Sequence, residues 1–318
     1  MTLREKPIIH ESMSKYYPES IINILPDKIK YYYMHILNVF YEKNKTEIKQ
    51  GSQIKTDYYY DKLLNIETQS NHFLKIVFKF INSCYIPEGK IIELLTKNSH
   101  PNILLPLYFE ENPPQCYKIS LYEYYEHDLL DILTSKDHKY TEDEIKNMFK
   151  KIVSVVIHFH KLNIIIGDIK PENILVYGER KTNIMIIDFE SCIQLNEKTN
   201  KLVFKKFDFC STIAYLPPEY HIEGIITKKT DTWMLGCTLY CMLCRTPPIT
   251  EIIINKWKQH QVTSSYLEKG RSKYEKLNIN MKLLTKHQED LISKLMHIDY
   301  KSRIDDDDIM KHIWLNTS

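Results

Sequence analysis

Glycine is scarce in this chain, at 7 of 318 residues. Loops that cradle phosphate on backbone amides usually spend several glycines, so an intact loop of that kind is not expected. The 7 cysteines are an odd number and include no C-x-x-C pair. Cys237, Cys241 and Cys244 recur at helical spacing among apolar residues, which reads as buried free thiols in a reducing compartment. There is no excess of one charge: 43 basic and 41 acidic residues leave a net +2. That is too small for a nucleic-acid binder, and no stretch is strongly polybasic. No run of 18 apolar residues occurs, so no membrane span is expected. The first residues lack a charged segment followed by an apolar one, so secretion is not expected and a cytoplasmic location is. Internal repeats and low-complexity segments are absent as well.

What is present is a globular composition, with 43% hydrophobic and 12% aromatic residues. The length sets a prior of about two domains. Residues 1–45 read as an N-terminal extension. Asp27 is placed to cap a helix through about Lys43, with Ile29, Tyr32, Tyr33, Ile36, Leu37 and Phe40 along one face. That stripe suits packing onto the rest of the fold; a partner-docking helix is the alternative. Residues 46–122 are strand-rich: Phe73–Phe80 is a β-prone run, and Tyr117–Tyr124 a second. Between them Gly89–Lys97 has the pattern of a short helix. Beyond residue 124 the chain turns helical. Thr141 and Glu144 form a capping box ahead of a long helix ending near His160, and Thr285 and Gln288 form another. Strands followed by helices predict an α+β fold.

The most informative stretch is Ile166-Gly167-Asp168-Ile169-Lys170-Pro171-Glu172-Asn173. Downstream, Asp188 closes the apolar run Ile184–Ile187. Phosphoryl transfer asks little more of side chains than this. One carboxylate orients the acceptor hydroxyl, a cation neutralises the moving phosphoryl group, and an amide with a second carboxylate holds Mg²⁺. These segments resemble the catalytic loop and magnesium motif of the eukaryotic-type protein kinase superfamily. The resemblance implies a bilobed fold, with a small β-rich lobe over about 46–123 and a larger helical lobe over about 124–315. It implies Asp168 and Lys170 as catalytic residues, and Asn173 and Asp188 as metal ligands. It also implies ATP and Mg²⁺ as cofactors and a protein as substrate. Thr212, Glu219, Asp231 and Arg303 fall where the family keeps structural residues. Thr212 would bond the catalytic Asp and Lys, Asp231 would hold the catalytic-loop backbone, and Glu219 would pair with Arg303.

The N-terminal half is less similar. Lys79 matches the strand Lys that reaches the phosphates, Gly51 is all that remains of the glycine loop, and Tyr122 would guard the back of the nucleotide pocket. Glu123, Tyr124 and Tyr125 match the adenine-binding hinge, and Asp128 the ribose contact. Ile91 stands where the helix Glu that pairs with the Lys is expected, with Glu88 and Glu93 flanking it. Glu190 replaces the Gly of Asp-Phe-Gly; it would restrict backbone flips or point to solvent. Gly167 replaces the Arg that clamps an activation-loop phosphate, and Asp208 occupies the usual phosphate-bearing position. The expectation is a serine/threonine kinase that needs no activation-loop phosphorylation. The alternative is a pseudokinase that acts as a binding module.

Overall fold

The computed structural model describes residues 58–64, 71–78, 88–112, 117–195, 201–204, 209, 211–249 and 281–317. The extension at 1–45 with the helix expected from Asp27 to about Lys43, Gly51, Lys79 and Asp208 therefore lie outside the described residues.

The chain divides into two compact units. The first carries one antiparallel sheet in the order β1-β2-β4-β3. Its strands are β1 (Tyr58–Leu64), β2 (Asn71–Phe78), β3 (Tyr108–Asn112) and β4 (Tyr117–Glu123). β2 begins two residues earlier than the apolar run suggests, and its pairing with β4 ends at Phe78 opposite Tyr117. Tyr122 is buried and Glu123 is exposed.

The second unit holds residues 84–105 and 125–318, so its first segment precedes β3 in the chain. A single cut at residue 123 places helix α1 (Glu88–Lys97) with the sheet, whereas the structure groups it with the helical unit. The cause is packing. Ile91, Leu95 and Ile103 join the large buried core, and Leu104 N donates to Ile186 O at 3.0 Å while Ile186 N donates to Asn102 O at 2.8 Å.

Then follow β5 (His127–Asp128), α2 (Leu129–Thr134) and the 20-residue helix α3 (Glu142–Lys161). The Thr141 capping box closes as the sequence predicts: Glu144 N donates to Thr141 Oγ1 at 3.2 Å, and Thr141 N to Glu144 Oε2 at 2.8 Å. The hydrogen-bonded Arg180 guanidinium, first, and that capping bond hold the Glu144 carboxyl down at about 2. Met148, Phe149, Ile152, Val156 and Phe159 form the buried face of α3. The apolar period of 3 and 4 residues thus reports real burial.

Short strands follow: β6 (Ile164–Ile165), β7 (Ile174–Tyr177), β8 (Asn183–Ile186), β9 (Ile193–Gln194) and β10 (Leu202–Val203). β7 pairs with β5 and β8, and β6 with β9. The α4 helix (Pro218–Glu223) leads to β11 (Ile225–Ile226), which pairs with β10. Next comes α5 (Lys228–Cys244), buried at every residue from Thr230 to Met242. A helix buried on all sides shows no amphipathic stripe, and this one forms the middle of the unit. Of the three cysteines at helical spacing, Cys237 and Cys241 are buried free thiols and Cys244, at the end of the helix, is only half-buried; Cys192 is a further buried free thiol. Among the described residues, three helices follow: α6 (Lys286–Leu295), α7 (Asp306–Ile309) and α8 (Ile313–Asn316). Among the described residues no helix is long and apolar enough to cross a membrane.

Candidate active site

The loop of residues 166–173 hangs between β6 and β7, and its shape begins with Gly167. At φ +78° an L side chain is strained, and a Cβ there would lie 2.6 Å from the Phe209 ring and 2.8 Å from Ser191 O. Asp231, on the buried helix α5, fixes this turn: Ile166 N donates to its Oδ2 and Gly167 N to its Oδ1, both at 2.8 Å. A carboxylate that accepts two amides spans the turn and satisfies backbone donors that burial would otherwise orphan.

Asp168 is 8% exposed and sits at a convergence of donors. Its Oδ1 accepts from Thr212 N at 2.8 Å and from Ser211 Oγ at 3.3 Å. Its Oδ2 accepts from Asn173 Nδ2 at 3.0 Å and pairs with Lys170 Nζ at 2.9 Å. Lys170 Nζ also donates to Thr212 Oγ1 at 2.5 Å. Asp168, Lys170, Asn173 and Thr212 thus form one hydrogen-bonded cluster, the juxtaposition that the resemblance implies. Ser211 joins it, although its hydroxyl carries no sequence signal that separates it from its neighbours.

Asn173 closes the 3-10 turn Pro171–Asn173. It spends its amide nitrogen on Asp168, at 2.8 Å to the carbonyl oxygen and 3.0 Å to Oδ2, which leaves its amide oxygen as an acceptor. Ile187 N donates to Asn173 O at 3.1 Å and so brings the end of β8 beside the turn. Asp188 follows with φ +68°, a left-handed conformation that Asp tolerates better than bulkier residues. The Phe189 ring anchors it from below, fully buried 5.7 Å from Phe159. An amide oxygen and a carboxylate are hard oxygen donors. They fit Mg²⁺, which keeps several waters and takes few protein ligands beside substrate phosphates. Among the described residues there is no cluster of three or more His, Cys, Asp or Glu that would cage a resident metal.

Several nearby positions depart from simple expectation. Glu190 is 5% exposed, so it does not point to solvent. Ile91 is buried, as an apolar side chain on an inward helix face should be. Glu93 pairs with Lys97 across one turn at 2.6 Å, with its side chain 67% exposed, whereas Glu88 is 2% exposed. Asp128 caps α2: its Oδ1 accepts from Asp131 N at 2.8 Å, so its carboxylate has a structural task beside any ribose contact. Burial, chiefly, raises its pKa. Tyr125 is half-buried, edge-on to Tyr177 at 5.3 Å.

Glu219 and Arg303 form a two-pronged ion pair, Nη1 to Oε1 and Nη2 to Oε2, both at 2.7 Å. Among the described residues, the segment before it packs through aromatic side chains. Phe209 is buried against Phe204 at 5.3 Å and Tyr220 at 5.9 Å. Phe204 N donates to Gly224 O at 2.9 Å beside the β10–β11 pair. Phe209 and Gly167 are therefore a matched pair, since the ring fills the space that a side chain at 167 would need.

Comparison with known proteins agrees with this arrangement. Residues 62–315 match the protein kinase domain family. Myosin light chain kinase A of Dictyostelium discoideum is 27% identical over 257 residues, covering 80% of this chain and 82% of that protein. The serine/threonine-protein kinase cds1 of Schizosaccharomyces pombe is 28% identical over 233 residues, covering 71% of this chain and 47% of that protein. Maternal embryonic leucine zipper kinase of Xenopus tropicalis is 30% identical over 190 residues, covering 59% of this chain and 26% of that protein. The chain thus spans less than half the length of these last two relatives. Its matched span, its fold of a β-rich unit and a helical unit, and the clustered Asp168, Lys170, Asn173 and Thr212 place it in the protein kinase family.

Proposed function

We propose that the protein transfers the γ-phosphoryl group of Mg²⁺-ATP to a serine or threonine hydroxyl of a protein substrate. The observation that carries this reading is the Asp168 cluster. A buried carboxylate oriented by Thr212 N and Asn173 is poised to accept a hydroxyl proton, and a lysine beside it is poised to neutralise a phosphoryl group. Asn173 and Asp188 would hold Mg²⁺, which when bound offsets charge on the phosphates. Lys79 is proposed to hold the α/β-phosphates, with Gly51, Glu123, Tyr125 and Asp128 around the nucleotide. The names of serine/threonine kinases among the relatives support the choice of hydroxyl, and Lys170 with Thr212 favours it over tyrosine. We take 46–315 as the catalytic domain and 1–45 as a helical extension that packs onto it, with partner docking as the alternative.

The test is γ-phosphoryl transfer to a generic protein substrate with Mg²⁺-ATP, in wild type, Asp168→Asn and Lys79→Met. Wild type should transfer and both variants should not; equal signal from all three sinks the reading. The buried Ile91 favours a second reading, a pseudokinase that binds partners without transfer, because it removes the usual helix carboxylate. The two flanking carboxylates discriminate. Inward Glu88, rather than Glu93 with its surface lysine, is proposed as the replacement. Glu88→Gln should then cut the rate at least tenfold while Glu93→Gln leaves it within twofold. Nucleotide binding without transfer in wild type would establish the second reading.

Activation-loop phosphorylation is proposed to be unnecessary. Aromatic packing of Phe204, Phe209 and Tyr220 over Gly167 supports this, because it docks the segment by burial rather than by an Arg–phosphate pair. Phosphatase treatment of the purified protein should change its rate less than twofold. Gly167→Arg should not restore a clamp. It should lower the melting temperature, because a left-handed L residue alone costs roughly 1–2 kcal/mol. Activity that disappears with phosphatase would overturn this part.

A further inference from the structure

His160, in the last turn of α3, is 4% exposed and joins two carboxylates from different helices. Its Nδ1 lies 2.6 Å from Asp306 Oδ2 at the start of α7, and its Nε2 lies 2.9 Å from Asp231 Oδ2 on α5. Asp231 is the residue that holds the amides of Ile166 and Gly167. A carboxylate only accepts, so a ring bonded to one at each nitrogen donates from both, which only the imidazolium does. A neutral ring would set one lone pair against an oxygen, and either Asp306 or Asp231 would have to move.

We propose that Asp306 is a positioning residue for the catalytic loop, acting through His160 and Asp231 on the backbone that presents Asp168. No part of the transfer chemistry calls for it. Within the run Asp305–Asp308 it is also indistinguishable in sequence from a solvated acidic face. Its side chain is 29% exposed and borders a recess of about 360 Å³, so the relay runs from the surface to the loop.

The other charges around the ring are already engaged or lie further out. Lys228 Nζ donates to His160 O at 2.6 Å and Asn163 Oδ1 at 2.9 Å. Lys229 Nζ is held by the carbonyls of Arg303 and Ile304 and by Asp305 Oδ1. Lys161 and Asp307 line the recess. Burial pulls the His160 pKa down, but the bonds and charges of Asp231 and Asp306 together outweigh it and hold the ring up at about 9. Burial works to raise the Asp306 carboxyl too; the His160 bond and charge outweigh that and leave it below the ordinary value. The sign follows. A histidine raised from 6.5 keeps its contribution below about pH 6.5 and loses it as pH rises through about 9. An opposite charge this close is worth roughly 1–3 pH units. Neutralising Asp306 should therefore bring that ceiling down to about pH 6–8.

The experiment uses the full chain as wild type, Asp306→Asn and Asp306→Glu. Hydrogen exchange of the Ile166 and Gly167 amides, corrected for intrinsic rate, is followed from pH 6 to 9 beside the pH profile of kcat. Wild type should stay protected to about pH 8.5. Asp306→Asn should match it at pH 6 and lose protection at least tenfold by pH 8. Its kcat should fall in parallel and its KM for ATP should hold, and Asp306→Glu should restore both. Profiles of Asp306→Asn that overlie wild type overturn the proposal. So does an equal loss at every pH, which marks a merely structural residue. The rate arm rests on the proposed activity, but the exchange arm does not. An inactive wild type with pH-dependent exchange in Asp306→Asn defeats the activity and keeps this inference.

Discussion

Asp168→Asn should lower phosphoryl transfer by roughly 10²–10⁴-fold, the span a positioned general base supplies, with little change in KM for ATP. The substitution preserves shape, so the loss reports chemistry. An Asn side chain still accepts from Thr212 N through its oxygen, the bond now 2.8 Å long. Its amide nitrogen then faces Asn173 Nδ2 and Lys170 Nζ, which stand 3.0 and 2.9 Å from the present Oδ2. Three donors would meet without an acceptor. The acceptor hydroxyl loses its proton sink, and Lys170 loses the charge that aims it.

The same crowding costs stability of the order of an unmet buried hydrogen bond, about 1–3 kcal/mol, too little to unfold a typical domain at 25 °C. Calorimetry on the same samples separates the two effects, because a folded variant that transfers nothing has lost function rather than structure. Lys170→Met gives an internal comparison. It should cost less than Asp168→Asn, since it removes charge neutralisation and leaves the proton acceptor. A rate for Asp168→Asn within threefold of wild type would exclude Asp168 as the residue that orients the hydroxyl.

Much of this site was legible because its residues are close in sequence as well as in space. Asp168, Lys170 and Asn173 lie within one loop, so their convergence needs only a tight turn, and Pro171 supplies its fixed φ. The place of Asp188 just beyond β8 was legible from the apolar run ahead of it. Positions that depend on distant packing were harder to read. Glu190 looked free to face water, and only the enclosure of its loop makes it buried. Asp128 carried a ribose assignment, but the helix that starts at the next residue gives its carboxylate a cap to make. Asp306 sat in an acidic run where periodicity says nothing of which carboxylate turns inward. The grouping of α1 was hidden for a similar reason, because α1 precedes β3 in the chain while Ile91 and Leu95 pack with the larger core. Local pattern points to the proposed chemistry. The partners that hold it in place come from contacts far apart in sequence.

The Glu219–Arg303 pair should dominate stability in the same way that Asp168 dominates rate. The two side chains are about 3% exposed and face each other with two bonds of 2.7 Å. Arg303 also donates to His297 O and Lys229 O, both at 2.8 Å, and lies 4.9 Å over the Trp233 ring. Removing one partner of a buried pair leaves an uncompensated charge and costs roughly 3–5 kcal/mol. A domain of 150–250 residues moves about 2–4 °C per kcal/mol, so Arg303→Ala should lower the melting temperature by about 6–20 °C. Glu219→Ala should cost less, because Arg303 keeps two carbonyl partners and the indole. The double change Glu219→Leu with Arg303→Met should recover most of the loss, since apolar residues of similar volume replace buried pairs at little or no cost. Scanning calorimetry of the double variant beside wild type and its own two single changes, Glu219→Leu and Arg303→Met, gives the coupling directly. If the double variant melts at the sum of the single losses, the pair is not a coupled buried unit. If it melts near wild type yet transfers phosphoryl slowly, the pair also aims the Thr212 segment, which runs into α4 at Glu219 and meets Asp168 within hydrogen-bonding distance.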